Sequence, residues 1–285
     1  MYDMTLVREA QNSLVMQQRL ADMDHETDMD DVSSTLRMLF GYLCDRGHAV
    51  LVLVMNGLYW DSEIVLRTYY ECAVKILFIT LSPPSEQAAV VWEFWTPLGE
   101  AADRKTARKA GYAEKVFPKT DRNNRDIFRL LQHPQMIRDT LKLKKADRQR
   151  LEHKWSFSEL IETLSRLELD NQKLVPIRSL LHIYGMASHL THADCNAMDL
   201  MRDRAMRPSD ELQLLRDSHV ARVISDVVSL GTFCAIRIGK HLDVPDEEFS
   251  GLKRQMKVVV STAEAISKPF YASQRSFCDE MLKPD

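Results

Sequence analysis

The most informative segment of the chain is residues 50–81, which reads VLVLVMNGLYWDSEIVLRTYYECAVKILFITL. It is apolar on most sides at helical spacing, and the SPPS sequence at residues 82–85 ends it because proline cannot continue a helix. The pattern predicts one long helix over residues 50–81. A helix that is apolar nearly all round is usually buried, so we expect it at the centre of its domain.

The sequence before this segment predicts a shorter helix. Ser33 or Ser34 is a suitable N-cap, because a serine hydroxyl accepts from the exposed amides of a first helical turn. The helix is expected to reach about Asp45, with Gly47 near its end, since glycine is common just beyond a helix C-terminus.

Further helices are predicted after the central segment. Pro176 suits a first helical turn, and its helix is expected to reach about His192. Residues 199–208 are interpreted as a connector, followed by a long helix over residues 209–242. Pro269 is expected to separate a final short helix from the one before it.

The composition favours helices throughout. The chain has 285 residues but only nine glycines and ten prolines, and no segment has a clear strand pattern. No linker is rich enough in glycine or serine to require two domains. We therefore predict an all-α protein, one bundle-like domain over residues 1–285 with about eight to ten helices.

The cysteines and the N-terminal sequence suggest a cytoplasmic protein. The five cysteines form no CxxC pair and lie mostly in apolar surroundings, which is typical of reduced thiols. The first residues, MYDMTLVREAQNSL, lack a basic segment followed by an apolar one. The longest apolar run is too short for a bilayer, so no membrane partner is expected.

The charge is unevenly distributed. The net charge is −3, yet residues 103–154 carry 16 Lys and Arg against 7 Asp and Glu, a local excess of 16 − 7 = 9 positive charges. Such a region predicts binding of RNA or a nucleotide. The alternative is a pair of solvated surface helices, because exposed charge costs little.

The common motifs of catalysis and cofactor binding are missing. The sequence contains no GxGxxG, no GxxxxGK[ST], no HExxH and no GxSxG. His189, His192 and Asp194 are close in sequence, and Glu63 and Glu71 are available carboxylates, but the Glu-x-x-His motif of helical di-iron sites does not occur. We therefore predict neither a cofactor nor a metal.

One polar stripe runs along the central segment. Glu63, Arg67, Glu71 and Lys75 are each four residues apart, so they share one helix face and attract their neighbours. A solvated row of salt bridges would explain the pattern. If the helix is central, however, the stripe must line a polar cleft or meet polar partners, because an unpaired buried charge is very costly.

A second polar row is a suitable partner for this stripe. Tyr184, Ser188 and His192 repeat at four-residue spacing after Pro176. We therefore predict a site formed by Arg67, Glu71, Tyr184, Ser188 and His192. In it His192 would act as a general base or anion donor, and Tyr184 and Ser188 would form hydrogen bonds. The alternative is a buried network that holds the helices in register.

These two rows resemble a large, uncharacterised family of prokaryotic helical proteins that is known only as a domain of unknown function. The resemblance rests on Leu66-Arg67-x-x-Tyr70-Glu71 and on Tyr184-x-x-x-Ser188-x-x-x-His192, and spans about residues 35–240. It implies a helical fold, an intracellular prokaryotic setting and two rows that face each other. Residues 241–285 would then be a C-terminal helical extension.

A looser resemblance is to HEPN proteins, helical bundles that include ribonucleases of toxin and phage-defence systems. Their signature separates an arginine from a histidine by a few residues, as Arg148 and His153 are separated here. The likeness implies histidine-assisted attack of an RNA 2′-hydroxyl, with arginine stabilising the phosphorane charge. Two hypotheses thus stay open, an enzyme or nucleotide-binding protein and a non-catalytic helical protein that binds or regulates a protein partner.

Overall fold

The all-α prediction is confirmed by the computed structural model, which describes residues 4–22, 30–137, 141, 143–169 and 172–282. Within them are twelve α-helices: α1 (Met4–Asp22), α2 (Asp31–Met55), α3 (Ser62–Leu81), α4 (Pro84–Trp95), α5 (Pro97–Glu114), α6 (Arg122–Gln132), α7 (Lys145–Lys154), α8 (Phe157–Ser165), α9 (Ser179–His192), α10 (Cys195–Met206), α11 (Ser209–His241) and α12 (Phe249–Met281).

The rest of the regular structure is short. Single 3-10 turns occupy Pro134–Met136, Val175–Arg178 and Asp246–Glu248. A small antiparallel hairpin joins β1 (Glu168–Leu169) to β2 (Gln172–Lys173). No strand was expected from the sequence, so this hairpin is an addition to the predicted fold.

The long helix predicted over residues 50–81 is wrong, because the chain turns at Asn56 and Gly57. Gly57 has φ +77°, a left-handed conformation that glycine adopts without strain, and Asn56 is the C-cap of α2. The helices α2 and α3 then run back along each other, with Cys72 Sγ donating to Leu39 O at 3.1 Å. The Asn-Gly pair is a standard turn signal that the apolar run around it obscured.

The helix end predicted near Gly47 is also wrong. Gly47 is buried in the middle of α2, and a Cβ there would lie 3.2 Å from Leu14 Cδ2 and 3.4 Å from Tyr69 Cε2. Its role is to let α1 and α3 approach closely. The cap of α2 is Asp30, whose carboxylate accepts from Ser33 N at 2.8 Å, rather than Ser33 or Ser34.

Two other boundaries differ from the prediction. The connector expected at residues 199–208 is largely helix α10, and α12 continues through Pro269 to Met281. Trp95 and Pro97 end α4 and begin α5 as separate helices. These divisions raise the helix number above the expected eight to ten.

The chain divides into two compact units, which we describe separately. Unit 1 comprises Met1–Leu81 and Leu164–Asp285, and unit 2 comprises Ser82–Thr163. The single domain expected over residues 1–285 stays a prediction.

The centre of unit 1 is α3, as its apolar sequence predicted. It packs against α2, α9 and α11. The stripe residues Arg67, Glu71 and Lys75 are partly exposed. On the opposite side Leu66, Tyr69 and Ile76 are fully buried. Each such side chain contributes about 1.5–3 kcal/mol through burial. A polar group on the buried side of α3, such as Glu63, must therefore meet partners on the neighbouring helices.

In unit 2, α5 packs against α4, α6 and α7. Its Glu100 side chain is completely buried, where it pairs with Arg104 at 3.1 Å and accepts from Leu141 N at 3.2 Å. One face of α5 is thereby held against the chain that leads into α7.

Two helices, α2 and α11, are long and apolar enough to cross a membrane by length and composition alone. Both lie in the core of unit 1, and a core helix passes the same test, so this is weak evidence. The cytoplasmic location and the absence of a membrane partner stay predictions.

Candidate functional site

Three of the five predicted site residues meet between α3 and α9. Arg67 Nη2 donates to Tyr184 OH at 2.9 Å, and Tyr184 OH donates to Glu71 Oε1 at 2.7 Å. The Arg67 guanidinium carbon also lies 4.7 Å from the centre of the Tyr184 ring, close enough for a cation–π contact. We call Arg67, Glu71 and Tyr184 the α3–α9 triad.

The α3–α9 triad balances its own charges. Arg67 Nε lies 3.5 Å from Glu71 Oε1, within ion-pair range although Nε makes no hydrogen bond. The pKa of the Tyr184 phenol is raised, mainly by burial and then by its hydrogen bond to Glu71. Tyr184 therefore keeps its proton at neutral pH and acts as the donor that joins the two helices.

The other two predicted residues, Ser188 and His192, are not joined to the triad. Among the described residues, no hydrogen bond or ion pair connects either side chain to it. They follow Tyr184 by one and two turns, about 6 and 12 Å along the helix. His192 is exposed at the end of α9, where Ala193 adopts φ 48°. The catalytic role of the five residues stays a prediction.

The histidine that does find a partner near this end is His189. Its Nδ1 lies 2.6 Å from Asp194 Oδ2, while Asp194 Oδ1 accepts from Ala197 N as the N-cap of α10. The hydrogen bond from His189 is the main cause that lowers the pKa of Asp194. The pair fixes the turn between α9 and α10.

A second polar cluster, which the sequence analysis missed, joins α3 to α11. Arg222 lies at its centre: Nη2 contacts Glu63 Oε1, and Nη1 donates to Asp226 Oδ2 at 2.9 Å. Tyr70 OH donates to the same Asp226 oxygen at 2.6 Å, and His219 Nδ1 lies 3.6 Å from Glu63 Oε1. We call these five residues the α3–α11 network.

Burial governs the protonation of the α3–α11 network. Desolvation lowers the pKa of His219 to about 4 and raises the pKa of Asp226. It also raises the pKa of Tyr70 well above its usual value. His219 is therefore neutral at pH 7, with its Nε2 directed to Tyr59 O at 3.0 Å.

Only part of this network had a signal in the sequence. Glu63 belongs to the polar stripe that was recognised, and Arg222 and Asp226 are four residues apart on one helix. Nothing in the sequence indicates that this pair meets α3, because the contact depends on how α11 packs.

The basic region of unit 2 forms a pocket of about 390 Å³ between α5 and α7. It is lined by Ala101, Arg104, Lys105, Arg108, Lys145, Arg148, Gln149 and Glu152. Five of these side chains are cations, and Glu152 is the one acid among them. We call this the basic pocket.

Two of its five cations have carboxylate partners among the residues that the structure describes. Arg104 pairs with Glu100, and Lys105 Nζ lies 2.7 Å from Glu152 Oε1. Among the described residues, Arg108, Lys145 and Arg148 have no carboxylate partner, and Arg148 contacts only the backbone oxygen of Leu143.

The residues behind the HEPN resemblance do not converge. Arg148 lines the basic pocket, whereas the exposed His153 lies 3.5 Å from Glu159. Five residues along a helix correspond to about 140° of rotation, so the two side chains leave α7 in different directions.

Within the part of the chain that the structure describes, no three His, Cys, Asp or Glu side chains are grouped to hold a metal ion. His189 and Asp194, which are close in sequence, pair with each other, as described above.

A comparison with known protein families identifies the family of this chain. A family model described as "Family of unknown function (DUF5677)" matches residues 34–207, more than half of the chain. The chain belongs to this family. The resemblance to an uncharacterised family is thus confirmed, whereas the likeness to HEPN proteins is not supported. No curated protein and no solved structure matches the chain.

The match covers the α3–α9 triad and the basic pocket but ends before α11. Arg222, Asp226 and His219 therefore lie outside the matched residues.

Proposed function

We propose that this protein binds a phosphate-bearing ligand, a nucleotide or RNA, through the basic pocket. The observation that supports the proposal is the group of three cations, Arg108, Lys145 and Arg148, without carboxylate partners in one concave site. Like charges held together repel each other, and a phosphate would offset that repulsion with charge-assisted hydrogen bonds.

The start of α7 adds to the favourable potential. Lys145, the first residue of α7, lines the pocket, and its N-cap Lys144 makes no side-chain capping bond. The first amides of a helix lack partners within the helix and carry a partial positive charge that favours anions.

The size of the pocket suits a nucleotide or a short stretch of RNA backbone. Its volume of about 390 Å³ lies within the range of about 300–1,000 Å³ that is usual for ligand sites. Arg148 presents the planar guanidinium that pairs with two phosphate oxygens at once.

The test is a binding assay with ATP and with a short single-stranded RNA at low salt. The double charge reversal Arg108→Glu and Lys145→Glu is expected to weaken binding by about tenfold or more, equal to about 1.4 kcal/mol or more. The matched control, Lys109→Glu with Arg150→Glu, makes the same charge change on the same two helices outside the pocket.

An equal loss in both double variants would contradict the proposal, because it would mean that overall charge rather than the pocket is responsible. Lack of binding by the native protein would do the same. The two ligands are distinguished by salt, since RNA affinity falls steeply with ionic strength in proportion to the phosphates contacted.

We further propose that the α3–α9 triad holds two helices in register. The observation that favours this role is the mutual pairing of Arg67, Glu71 and Tyr184, which leaves no net charge for a ligand. On this proposal the protein is a binding or regulatory protein, and the alternative is the predicted cleft in which His192 serves as a base.

A further inference from the structure

Unit 1 contains a groove of about 250 Å³ where the start of α9 approaches α3 and α11. Most of its wall is apolar, including Leu180, Leu230 and Phe233. Two polar members of the α3–α11 network, Tyr70 and Asp226, also line it. We call it the Asp226 groove.

One oxygen of Asp226 is available to a ligand in this groove. Both donors of the network, Tyr70 OH and Arg222 Nη1, bond to Oδ2. Among the described residues, no donor reaches Oδ1. The side chain of Asp226 is 23% exposed and lines the groove.

The α3–α11 network contains two carboxylates but only one guanidinium. Glu63 and Asp226 are two carboxylates, and Arg222 is the single guanidinium bonded to both. His219 is neutral at pH 7 because desolvation lowers its pKa to about 4. The guanidinium carbon of Arg204 lies 3.6 Å from the centre of the Trp60 ring, and that ring lies 4.3 Å from the His219 ring.

We propose that the Asp226 groove binds a small primary amine with an apolar body, whose ammonium group pairs with Asp226 Oδ1. The apolar part would lie against Leu180, Leu230 and Phe233. Burial raises the pKa of Asp226, and an ammonium ion in contact with its carboxylate would offset that penalty.

The volume limits the ligand to a small molecule. It lies below the range of about 300–1,000 Å³ that holds drug-sized ligands, but above the cavity of about 150 Å³ that accepts benzene. A single ring with a short aminoalkyl chain fits these bounds. A nucleotide does not, and the groove lies in unit 1, so this proposal is independent of phosphate binding in unit 2.

The experiment is calorimetric titration of the full chain with phenethylamine, and with phenylethanol as a neutral analogue of similar shape. We expect saturable one-to-one binding of the amine, with phenylethanol about tenfold weaker or worse. The Ser229→Trp variant fills the groove from α11 and leaves the network residues unchanged, so it should abolish binding. Ser261→Trp, at an exposed site on α12, is the control.

Asp226→Asn removes the charge but keeps the acceptor for Tyr70, and we expect at least a tenfold loss of amine affinity. Equal binding of amine and alcohol, unchanged binding in Ser229→Trp, or no binding to the native protein would overturn the proposal. The Ser229→Trp titration tests the groove even if Asp226→Asn does not fold.

Discussion

The α3–α11 network and the basic pocket differ in whether their charged side chains are paired. In the core of unit 1 the Glu63 side chain is only 7% exposed, and Arg222 joins it to Asp226. On the surface of unit 2, Arg108, Lys145 and Arg148 line one pocket without carboxylate partners among the described residues. Buried charges must be paired because desolvation is costly, whereas exposed charges can remain unpaired and serve a ligand.

The α3–α9 triad lies between these extremes. Its arginine and glutamate are 20% and 35% exposed, yet they are paired through Tyr184. The comparison therefore predicts that mutations will affect stability most in the α3–α11 network, less in the triad and least in the basic pocket.

The largest effect is expected for Arg222→Met, which leaves Glu63 and Asp226 without their shared cation. Removing one partner of a buried charge cluster typically costs about 3–5 kcal/mol. The free energy of unfolding in urea measures this. The control Arg202→Met, whose arginine is 73% exposed in a pair with Asp199, should change it by less than about 0.5 kcal/mol. Similar losses of unfolding free energy in Arg222→Met and Arg202→Met would contradict the prediction that the buried network matters more for stability than an exposed ion pair.

The next effect is a dependence of stability on pH through His219. Its folded pKa of about 4 lies below the unfolded value near 6.5, so the unfolded chain binds more protons between these values. Stability is then fully present above about pH 6.5 and falls by about 3 kcal/mol as the pH drops towards 4. The Glu63 carboxylate, 3.6 Å away, only moderates this loss because Arg222 already pairs with it.

Urea unfolding of the native protein and of His219→Gln at several pH values measures whether stability falls as the pH drops. Asp226 acts in the opposite sense, since its pKa is raised in the folded protein, and the difference between the two proteins isolates His219. His192→Gln, at an exposed histidine, should keep the native slope. If the free energy of unfolding of His219→Gln depends on pH as steeply as that of the native protein, a group other than His219 causes the pH dependence.

A smaller effect is expected for Tyr184→Phe. The variant loses the hydrogen bonds to Arg67 and Glu71 but keeps the ring, at a cost of about 1 kcal/mol. Ser188→Ala, on the same face of α9 but without a bond to the triad, should cost less than about 0.5 kcal/mol. If Ser188→Ala is the more damaging change, the five residues act together as the sequence predicted.

The smallest effect is expected in the basic pocket. Arg108→Gln with Lys145→Gln should leave the free energy of unfolding within about 0.5 kcal/mol of the native value, or raise it slightly by relieving repulsion. Thermal and urea unfolding measure it. A loss comparable with that of Arg222→Met would show that these cations are structural and would remove the main support for a phosphate site.

The sequence by itself determined the helical class, the family and the regions where charge matters. Its apolar periodicity and scarcity of breakers are local properties, so they were readable without a structure. The polar stripe on α3 and the polar row on α9 were likewise predicted to meet. Arg67, Glu71 and Tyr184 do so.

Tertiary structure alone decided which charges are paired. The turn at Gly57 sets where α3 begins, and the packing of α11 brings Arg222 and Asp226 to Glu63 and Tyr70 across some 156–159 residues of chain. His192, by contrast, lies exposed at the end of α9. Contacts at such separations depend on how whole helices pack rather than on local propensity, which is why the sequence pattern revealed the polar stripe but not its second partner.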